Sequence, residues 1–198
     1  MRHEHFIELN EKFSNLWIPR FKALYDVVHK TQYCDHAWWK YVVKPHHIKN
    51  KYLQDFPWLA EVPSFNVNEH LIIFFKANGA KYNHNIAHID PNDIKWSITM
   101  PILGCTEETV TNWVKPKTEE KIFKGSTSAG DKTVDMLKGD VEVIDSYCFT
   151  DKIIVFNSSV WHEAITSHRR DEDRVLAKLW TPNLSRNYFM ELLDESIL

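Results

Sequence analysis

The sequence predicts a mainly β fold, a barrel or jelly roll, with a helical N-terminal third packed against it. From residue 69 onward, short runs of β-branched and aromatic residues recur between turns containing Gly, Asn, Asp and Pro. Before residue 31, apolar residues recur at spacings of three and four, which is the period of a helix. The 198 residues suit one domain, in which we distinguish an N-terminal part (1–68), a β core (69–181) and a C-terminal helical segment (182–198).

Composition narrows the class of protein. Hydrophobic residues make up 43% and aromatic residues 13% of the chain, which is enough to bury a sizeable core. The formal net charge of −3 argues against a nucleic-acid or membrane-surface protein, since these usually carry a basic excess. The three cysteines are scattered and form no C-x-x-C pair, which predicts a reduced compartment. The start of the chain has no signal-peptide pattern, and no apolar run approaches the roughly 20 residues of a membrane span, so we expect a cytoplasmic protein.

The first predicted element is a helix at residues 8–30. Pro19 lies inside its pattern and is expected to kink or split it. Residues 31–65 are rich in aromatic residues and read as irregular, with a short helix near 47–54. The apolar stripe that predicts the long helix consists of Leu9, Phe13, Trp17, Phe21, Leu24 and Val28.

The β core begins with the apolar run His70–Phe75, which reads as a buried strand ending near Asn78. The segment Gly125–Asp131 is the clearest loop, and a last short helix is predicted at about 185–195. Seven further strands are predicted at about 94–102, 108–114, 119–124, 140–145, 152–157, 160–166 and 173–181.

A possible metal site begins with His88 and Asp90, an H-x-D pair. In an extended segment, residues i and i+2 point to the same side, so both side chains can reach one ion. His162, which opens a later strand after a polar corner, offers a second imidazole. Two histidines and one carboxylate leave coordination positions open, as non-haem Fe(II) oxygenases require.

Arg174 follows His162 by twelve residues and opens the last predicted strand. The planar guanidinium donates two parallel hydrogen bonds to a carboxylate, and burying it without such a partner is costly. An inward-facing Arg174 therefore implies an acidic guest or an internal acid. Arg169 and Arg170 compete for this role, but they belong to a charged segment that reads as a solvated turn.

The pattern His88-x-Asp90 … His162 … Arg174 resembles that of the Fe(II)/2-oxoglutarate-dependent dioxygenases. The segment from Lys95 to Ile102 resembles the strand that follows H-x-D in small prolyl-hydroxylase-like and phytanoyl-hydroxylase-like members. The resemblance covers roughly residues 69–181 and leaves the first 65 residues unmatched. It implies a double-stranded β-helix (jelly-roll, cupin-like) fold, bound Fe(II), and oxidation of a C–H bond by dioxygen coupled to decarboxylation of 2-oxoglutarate to succinate.

Carried over to this chain, the resemblance implies that His88, Asp90 and His162 bind the iron and that Arg174 holds the far carboxylate of 2-oxoglutarate. The family often adds a hydroxyl or phenol to that carboxylate, for which Tyr82 and Thr99 are the candidates. The expected activity is hydroxylation of a protein side chain or a small molecule. The sequence does not indicate which substrate, nor the oligomeric state.

Other readings of the same residues remain. His162 and His168 resemble a zinc-protease motif at a glance, but they are six residues apart where that motif needs four. His84 and His88 have helical spacing in a segment whose Asn and Pro residues disfavour a helix, and His46-His47 reads as a surface pair. Two alternative functions stay open: a non-catalytic β-helix binding domain, and a cupin-type metal enzyme that does not use 2-oxoglutarate.

Overall fold

The structure, a computed structural model, describes residues 4–31, 35–37, 40–63, 65–78, 87–90, 95–117, 121–126, 133–165, 173–180 and 187. About half of these residues lie in β-strands, and strands predominate from residue 69 onward, as the sequence predicts. The strands of the described chain are β1 (Phe6–Glu8), β2 (Asp35–Ala37), β3 (Lys40–Val43), β4 (Leu71–Asn78), β5 (His88–Ile89), β6 (Trp96–Leu103), β7 (Val110–Pro116), β8 (Lys121–Ser126), β9 (Thr133–Lys138), β10 (Val141–Cys148), β11 (Ile154–Asn157), β12 (His162–Ile165) and β13 (Asp173–Trp180).

These strands form two sheets, and every pairing between described strands is antiparallel. The larger sheet has the order β1-β11-β6-β13-β4-β3-β2, and the smaller has the order β10-β7-β12-β5-β9-β8. Strands distant in sequence are therefore neighbours, as in a jelly roll. This arrangement confirms the predicted mainly β fold and brings β5 next to β12.

The sheets pack face to face around Trp113, which is fully buried on β7 of the smaller sheet. Its ring lies 5.2 Å from Phe6 and 5.3 Å from Phe156, both on the larger sheet, between ring centroids. Its indole N–H donates to the carbonyl oxygen of Asn157 at 3.0 Å, so the polar edge of the ring is satisfied inside the core.

The long helix α1 (Glu11–Val28) covers the outer face of the larger sheet. It begins where the side chain of Asn10 accepts a hydrogen bond from the N–H of Phe13 at 2.7 Å. The predicted start at residue 8 is wrong, because residues 6–8 pair with β11 instead. Leu9 is buried but precedes the helix, and its N–H donates to Ile153 O at 2.9 Å. The part of the predicted stripe that is buried within α1 is Trp17, Phe21, Leu24 and Val28.

Of the two effects predicted for Pro19, the split does not occur, since α1 continues through it, and the kink stays a prediction. A proline removes the backbone hydrogen bond to the carbonyl four residues earlier, here that of Asn15. Both Asn15 and Pro19 lie on the exposed side of the helix. Water can therefore solvate the free carbonyl, while the buried stripe on the opposite side keeps the helix on the sheet.

The stretch between α1 and β4 is more regular than predicted. Strands β2 and β3 pair with each other, and β3 extends the larger sheet by pairing with β4. The short helix predicted near 47–54 is confirmed as a continuous helical segment. It consists of α2 (Pro45–His47), a π-helical turn (Ile48–Tyr52) and α3 (Leu53–Asp55), and a 3-10 turn (Pro57–Glu61) follows.

The predicted strands of the β core are confirmed, with shifted ends, as β4, β6, β7, β8, β10, β11, β12 and β13. Strand β9 was not predicted, although it pairs with β8 and with β5. The predicted loop at Gly125–Asp131 is wrong at its start, because Gly125 and Ser126 belong to β8 and pair with Val134 and Thr133. The predicted last helix lies outside the described residues except for residue 187. No described helix has the length and apolar character needed to cross a membrane.

Candidate metal centre

The smaller sheet places two histidines opposite each other. His88 on β5 and His162 on β12 are direct partners in the antiparallel pairing of these strands. Their ring centroids lie 4.4 Å apart. His162 is also the partner of Trp113 on β7, so the buried indole supports the strand that carries this imidazole. Backbone pairing thus brings together residues that are 74 positions apart in the sequence (162 minus 88).

Asp90 follows directly after β5 and is held by the polar corner that precedes β12. Its N–H donates to the carbonyl oxygen of Ser158 at 3.0 Å, and the N–H of Ser158 donates to the carbonyl oxygen of Lys95 at 2.9 Å. The carboxylate atom Oδ1 of Asp90 lies 3.8 Å from Nε2 of His88. The alternation expected from the H-x-D spacing therefore places both side chains on one side of the chain.

His88, Asp90 and His162 each offer one donor atom, and these atoms lie within 4.8 Å of one another. Two donors on opposite sides of an ion with bonds of about 2.0–2.2 Å are at most about 4.4 Å apart, so atoms at this spacing need to close only slightly on a shared ion. Two imidazole nitrogens and one carboxylate oxygen suit iron and similar transition metals, and three protein donors leave positions for other ligands. The donor set thus fits a catalytic metal better than a closed structural site.

His162 is prepared to act as a ligand through Nε2. Its Nδ1 lies 2.8 Å from the carbonyl oxygen of Val160, which can only accept, so the proton resides on Nδ1 and Nε2 is free to bind a metal. Burial lowers the pKa of His162 to about 3, with His88 and Lys178 acting in the same direction and Asp90 opposing them. The imidazole is therefore neutral at physiological pH, as metal binding requires.

Lys178 contacts Asp90, and the sequence analysis did not foresee it. Its Nζ donates to Oδ2 of Asp90, while Oδ1 faces His88. Burial alone would raise the pKa of Asp90, but Lys178 and the two imidazoles outweigh it and hold that pKa well below its usual range. Nζ also lies 5.1 Å from the centroid of the Phe156 ring. The one signal in the sequence is that Lys178 interrupts the apolar run that follows Arg174 and lies four residues after that arginine.

Arg174 lies on the same face of β13 as Lys178. Side chains alternate along a strand, so 174, 176 and 178 share a face, while Val175, Ala177 and Leu179 pack on the other side towards α1. Arg174 is only 8% exposed, and its Nη1 donates to the carbonyl oxygen of Ile165 at 3.4 Å. Four residues of strand separate it from Lys178, which is about 13 Å.

The surroundings of Arg174 contain no acidic side chain within ion-pair distance among the described residues. Burial lowers the pKa of the guanidinium, and contact with the thiol of Cys105 acts the other way. Burial likewise raises the pKa of that thiol. A buried cation next to a protonated thiol and one backbone carbonyl is an environment in which a carboxylate from elsewhere binds favourably.

The remaining predicted site residues fall in different places. Thr99 is buried on β6 and is the register partner of Lys178, so it borders the same interior face. Tyr82, His84, His168, Arg169 and Arg170 lie outside the described residues. The rival pair His46-His47 lies in α2, where Nδ1 of His47 accepts from the N–H of Lys44 at 3.4 Å, and it does not join the metal centre.

Comparisons with known proteins bear on the fold. No protein-family profile matches the chain, and no curated protein sequence does. A solved prolyl 4-hydroxylase from Phytophthora capsici is similar, with a TM-score of 0.50 at 11% identity over 96% of this chain and 67% of that one. A prolyl 4-hydroxylase from Pseudomonas putida gives 0.45 at 13% identity, covering 92% and 95%. HygX from Streptomyces hygroscopicus, solved with iron bound, gives 0.40 at 10% identity, covering 91% and 83%.

The first of these similarities, together with the two antiparallel sheets, establishes a jelly-roll, cupin-like double-stranded β-helix fold for this chain. The two lower TM-scores add nothing to it. At 11% identity the likeness concerns the fold, and one fold hosts many activities. The function must therefore be argued from the residues of the metal centre.

Proposed function

We propose that this protein is a non-haem Fe(II)- and 2-oxoglutarate-dependent oxygenase, most simply a hydroxylase of a protein side chain or a small molecule. The observation that carries the proposal is the convergence of His88, Asp90 and His162 within 4.8 Å on the inner face of a double-stranded β-helix. These residues come from two strands that only the fold brings together. Chance proximity of surface residues does not explain a cluster in which His162 is 5% exposed.

In this proposal the three side chains hold Fe(II). His162 binds through Nε2 because its Nδ1–H is engaged by Val160, and Asp90 binds through Oδ1 because Oδ2 is engaged by Lys178. Both ligands are thus oriented by a second contact, which limits their rotation. The third ligand is His88 on β5, whose side chain is more exposed than that of Asp90.

Arg174 is the proposed partner for the far carboxylate of 2-oxoglutarate. It lies on the metal-facing side of β13, is buried, and has no acidic partner among the described residues. Thr99 borders the space between Arg174 and the metal centre and is the proposed hydroxyl partner; Tyr82 keeps that role only as a prediction. When bound, Fe(II) and 2-oxoglutarate supply the oxidation of a substrate C–H bond by dioxygen. The chain's own residues orient the co-substrate and keep bulk water out.

Anaerobic titration tests the proposal. Fe(II) and 2-oxoglutarate added together are expected to give a weak visible charge-transfer band with one-to-one stoichiometry, and His162→Ala should abolish it. His46→Ala is the matched control, because that histidine lies in α2 and should leave the band unchanged. If the wild-type protein binds neither component, the proposal is lost.

A non-catalytic binding domain is the second candidate, and the Lys178–Asp90 pair favours it. The ammonium satisfies the carboxylate without any metal, so the cluster is stable as a polar network. In that case metal titration gives no saturable binding, whereas the protein remains folded over the same range. A cupin-type metal enzyme without 2-oxoglutarate would bind metal but show no effect of Arg174 substitution.

A further inference from the structure

The Lys178–Asp90 contact has an asymmetry that matters for the metal. The ammonium engages Oδ2, whereas Oδ1 lies 3.8 Å from Nε2 of His88. Both partners are largely enclosed, with side-chain exposures of 11% for Lys178 and 12% for Asp90. Lys178 can therefore stay in place while Oδ1 binds an ion. The two cations would share one carboxylate.

The charges of this ion pair cancel, since Asp90 carries one negative charge and Lys178 one positive charge. A divalent ion that binds Asp90 therefore gains no net negative charge from the pair, and it lies near a like-charged ammonium. Such repulsion is large between enclosed charges, because little water screens them. An anion in the open coordination positions would offset it.

We propose that Lys178 makes tight retention of the divalent metal depend on a small chelating anion, of the oxalate or 2-oxo-acid class, bound beside it. The inference rests on the proposed function and adds a specific role for a residue that neither binds the metal nor holds the far carboxylate. The lysine weakens binding of the metal alone and strengthens binding of the metal together with the anion. By thermodynamic linkage, the metal raises the affinity for the anion by the same factor.

If Lys178 only stabilised the fold, its substitution would not change the coupling between metal and anion. Its contacts with Phe156 and Asp90 also stabilise the packing of β13, so loss of stability in a variant does not identify its role. The coupling between metal and anion does identify it, because a general loosening of the site affects both affinities alike. The measured quantity is therefore the ratio of the metal affinities with and without the anion.

Oxalate is the appropriate anion for this experiment. It can chelate a metal but lacks the far carboxylate that is proposed to bind Arg174. Calorimetric titration of Mn(II) into the protein, with and without oxalate and corrected for Mn(II) bound by oxalate in solution, gives the ratio. We expect oxalate to tighten Mn(II) binding by about 10-fold or more in the wild-type protein.

In Lys178→Met, Mn(II) alone should bind as tightly as in wild type or more tightly, and the gain from oxalate should fall below about twofold. Lys178→Arg keeps the charge and should keep most of the gain. Lys115→Met is the matched control, since it removes a lysine that pairs with Glu142 while both side chains are more than half exposed. Its gain from oxalate should equal that of wild type.

Three outcomes overturn the inference. In the first, oxalate does not tighten Mn(II) binding in the wild-type protein. This outcome does not depend on whether a variant folds. In the second, Lys178→Met retains the full gain. In both, Mn(II) still binds, so the proposed metal centre survives and only the role of Lys178 is lost. Absence of any Mn(II) binding in wild type, with or without oxalate, removes the proposed function together with this inference.

Discussion

His88 and His162 are register partners across the β5–β12 pairing, with 4.4 Å between their ring centroids. The positions of the two imidazoles in the candidate metal centre are therefore set by backbone pairing in the smaller sheet. The pairing also places His162 against Trp113 and Phe156, which remove it from water. This burial has a consequence for stability as well as for metal binding.

The metal-free protein should lose stability as the pH falls from about 6.5 towards about 3. The pKa of His162 is lowered to about 3 in the folded chain, whereas the unfolded chain takes up the proton near 6.5. Protonation then favours the unfolded state, with a slope of at most about 1.4 kcal/mol per pH unit from this group. Asp90, whose pKa is also lowered, adds a loss only below its ordinary value of 3.8.

Urea denaturation at a series of pH values measures this effect. His162→Gln, which cannot be protonated, should lack the part of the slope that His162 contributes between pH 6.5 and 4. The exposed His46 provides the control, because His46→Gln should keep the wild-type slope. Identical slopes in His162→Gln and wild type would contradict the assignment of a lowered pKa to His162.

Arg174→Met should weaken binding of 2-oxoglutarate by about 10- to 100-fold, because a hydrogen bond to a charged group contributes about 1.5–3 kcal/mol. Binding of Mn(II) with oxalate should stay unchanged, since oxalate lacks the far carboxylate that is proposed to bind Arg174. Calorimetry with 2-oxoglutarate in the presence of Mn(II) measures the difference. Arg20→Met is the control; it removes an arginine that pairs with Glu61 at 3.8 Å on the surface.

Unchanged binding of 2-oxoglutarate in Arg174→Met would contradict the assignment of its far carboxylate to Arg174. In that case Lys178 and Thr99 would be the next candidates. Both residues lie on the same row of the interior face, one strand apart. The present assignment rests on the buried guanidinium of Arg174 and on the contact that already occupies Lys178 with Asp90.

Part of the candidate metal centre can be predicted from the sequence because local spacing carries it, whereas His162 is a candidate through the strand and polar corner that precede it. The pair His88 and Asp90 needs only the alternation of an extended chain, and Arg174 was recognised as a cation opening an apolar strand. Lys178 was missed for a physical reason: its significance depends on the partner across the barrel, Asp90, which lies 88 positions away. No periodicity within β13 indicates which charged residue meets a carboxylate.

The strands also differ in how far local sequence predicts them. Strands rich in bulky and β-branched residues, such as β4 and β6, are predicted within a few residues of their ends. The short strands β1 and β5 are not, because they exist through pairing with β11 and with β12 and β9. Local propensity does not report such long-range pairing, so the three-residue strand Phe6–Glu8 is not predicted, and Glu8 is assigned to the helix that follows it.

Asp90→Asn should destabilise the metal-free protein by about 3–5 kcal/mol, because it leaves the ammonium of Lys178 enclosed without a carboxylate. Adding Lys178→Met to that variant should restore most of the loss, since the unpaired charge is then removed. Urea denaturation of the single and double variants measures both steps. The surface pair Lys115–Glu142 is the control, and its removal should change stability by less than about 1 kcal/mol.

A small effect of Asp90→Asn would contradict this prediction. If Asp90→Asn changed stability by less than about 1 kcal/mol, the pair would behave like a solvated surface pair, as exposed pairs do. The enclosed ion pair in the barrel would then be absent in solution. The inference about Lys178 would lose its structural basis, whereas the three metal ligands would not.

Pro19→Ala should stabilise the protein by roughly 1–3 kcal/mol, because proline is about 3 kcal/mol less favourable than alanine inside a helix and part of this is offset by its stiffer unfolded chain. Alanine restores the N–H that can donate to the carbonyl of Asn15, and position 19 is exposed, so no packing is lost. Pro57→Ala is the matched control. Pro57 occupies the first position of a 3-10 turn, where proline is favourable, so its removal should give no gain. A gain in Pro57→Ala equal to that in Pro19→Ala would mean that the gain does not come from the hydrogen bond that Pro19 removes inside α1.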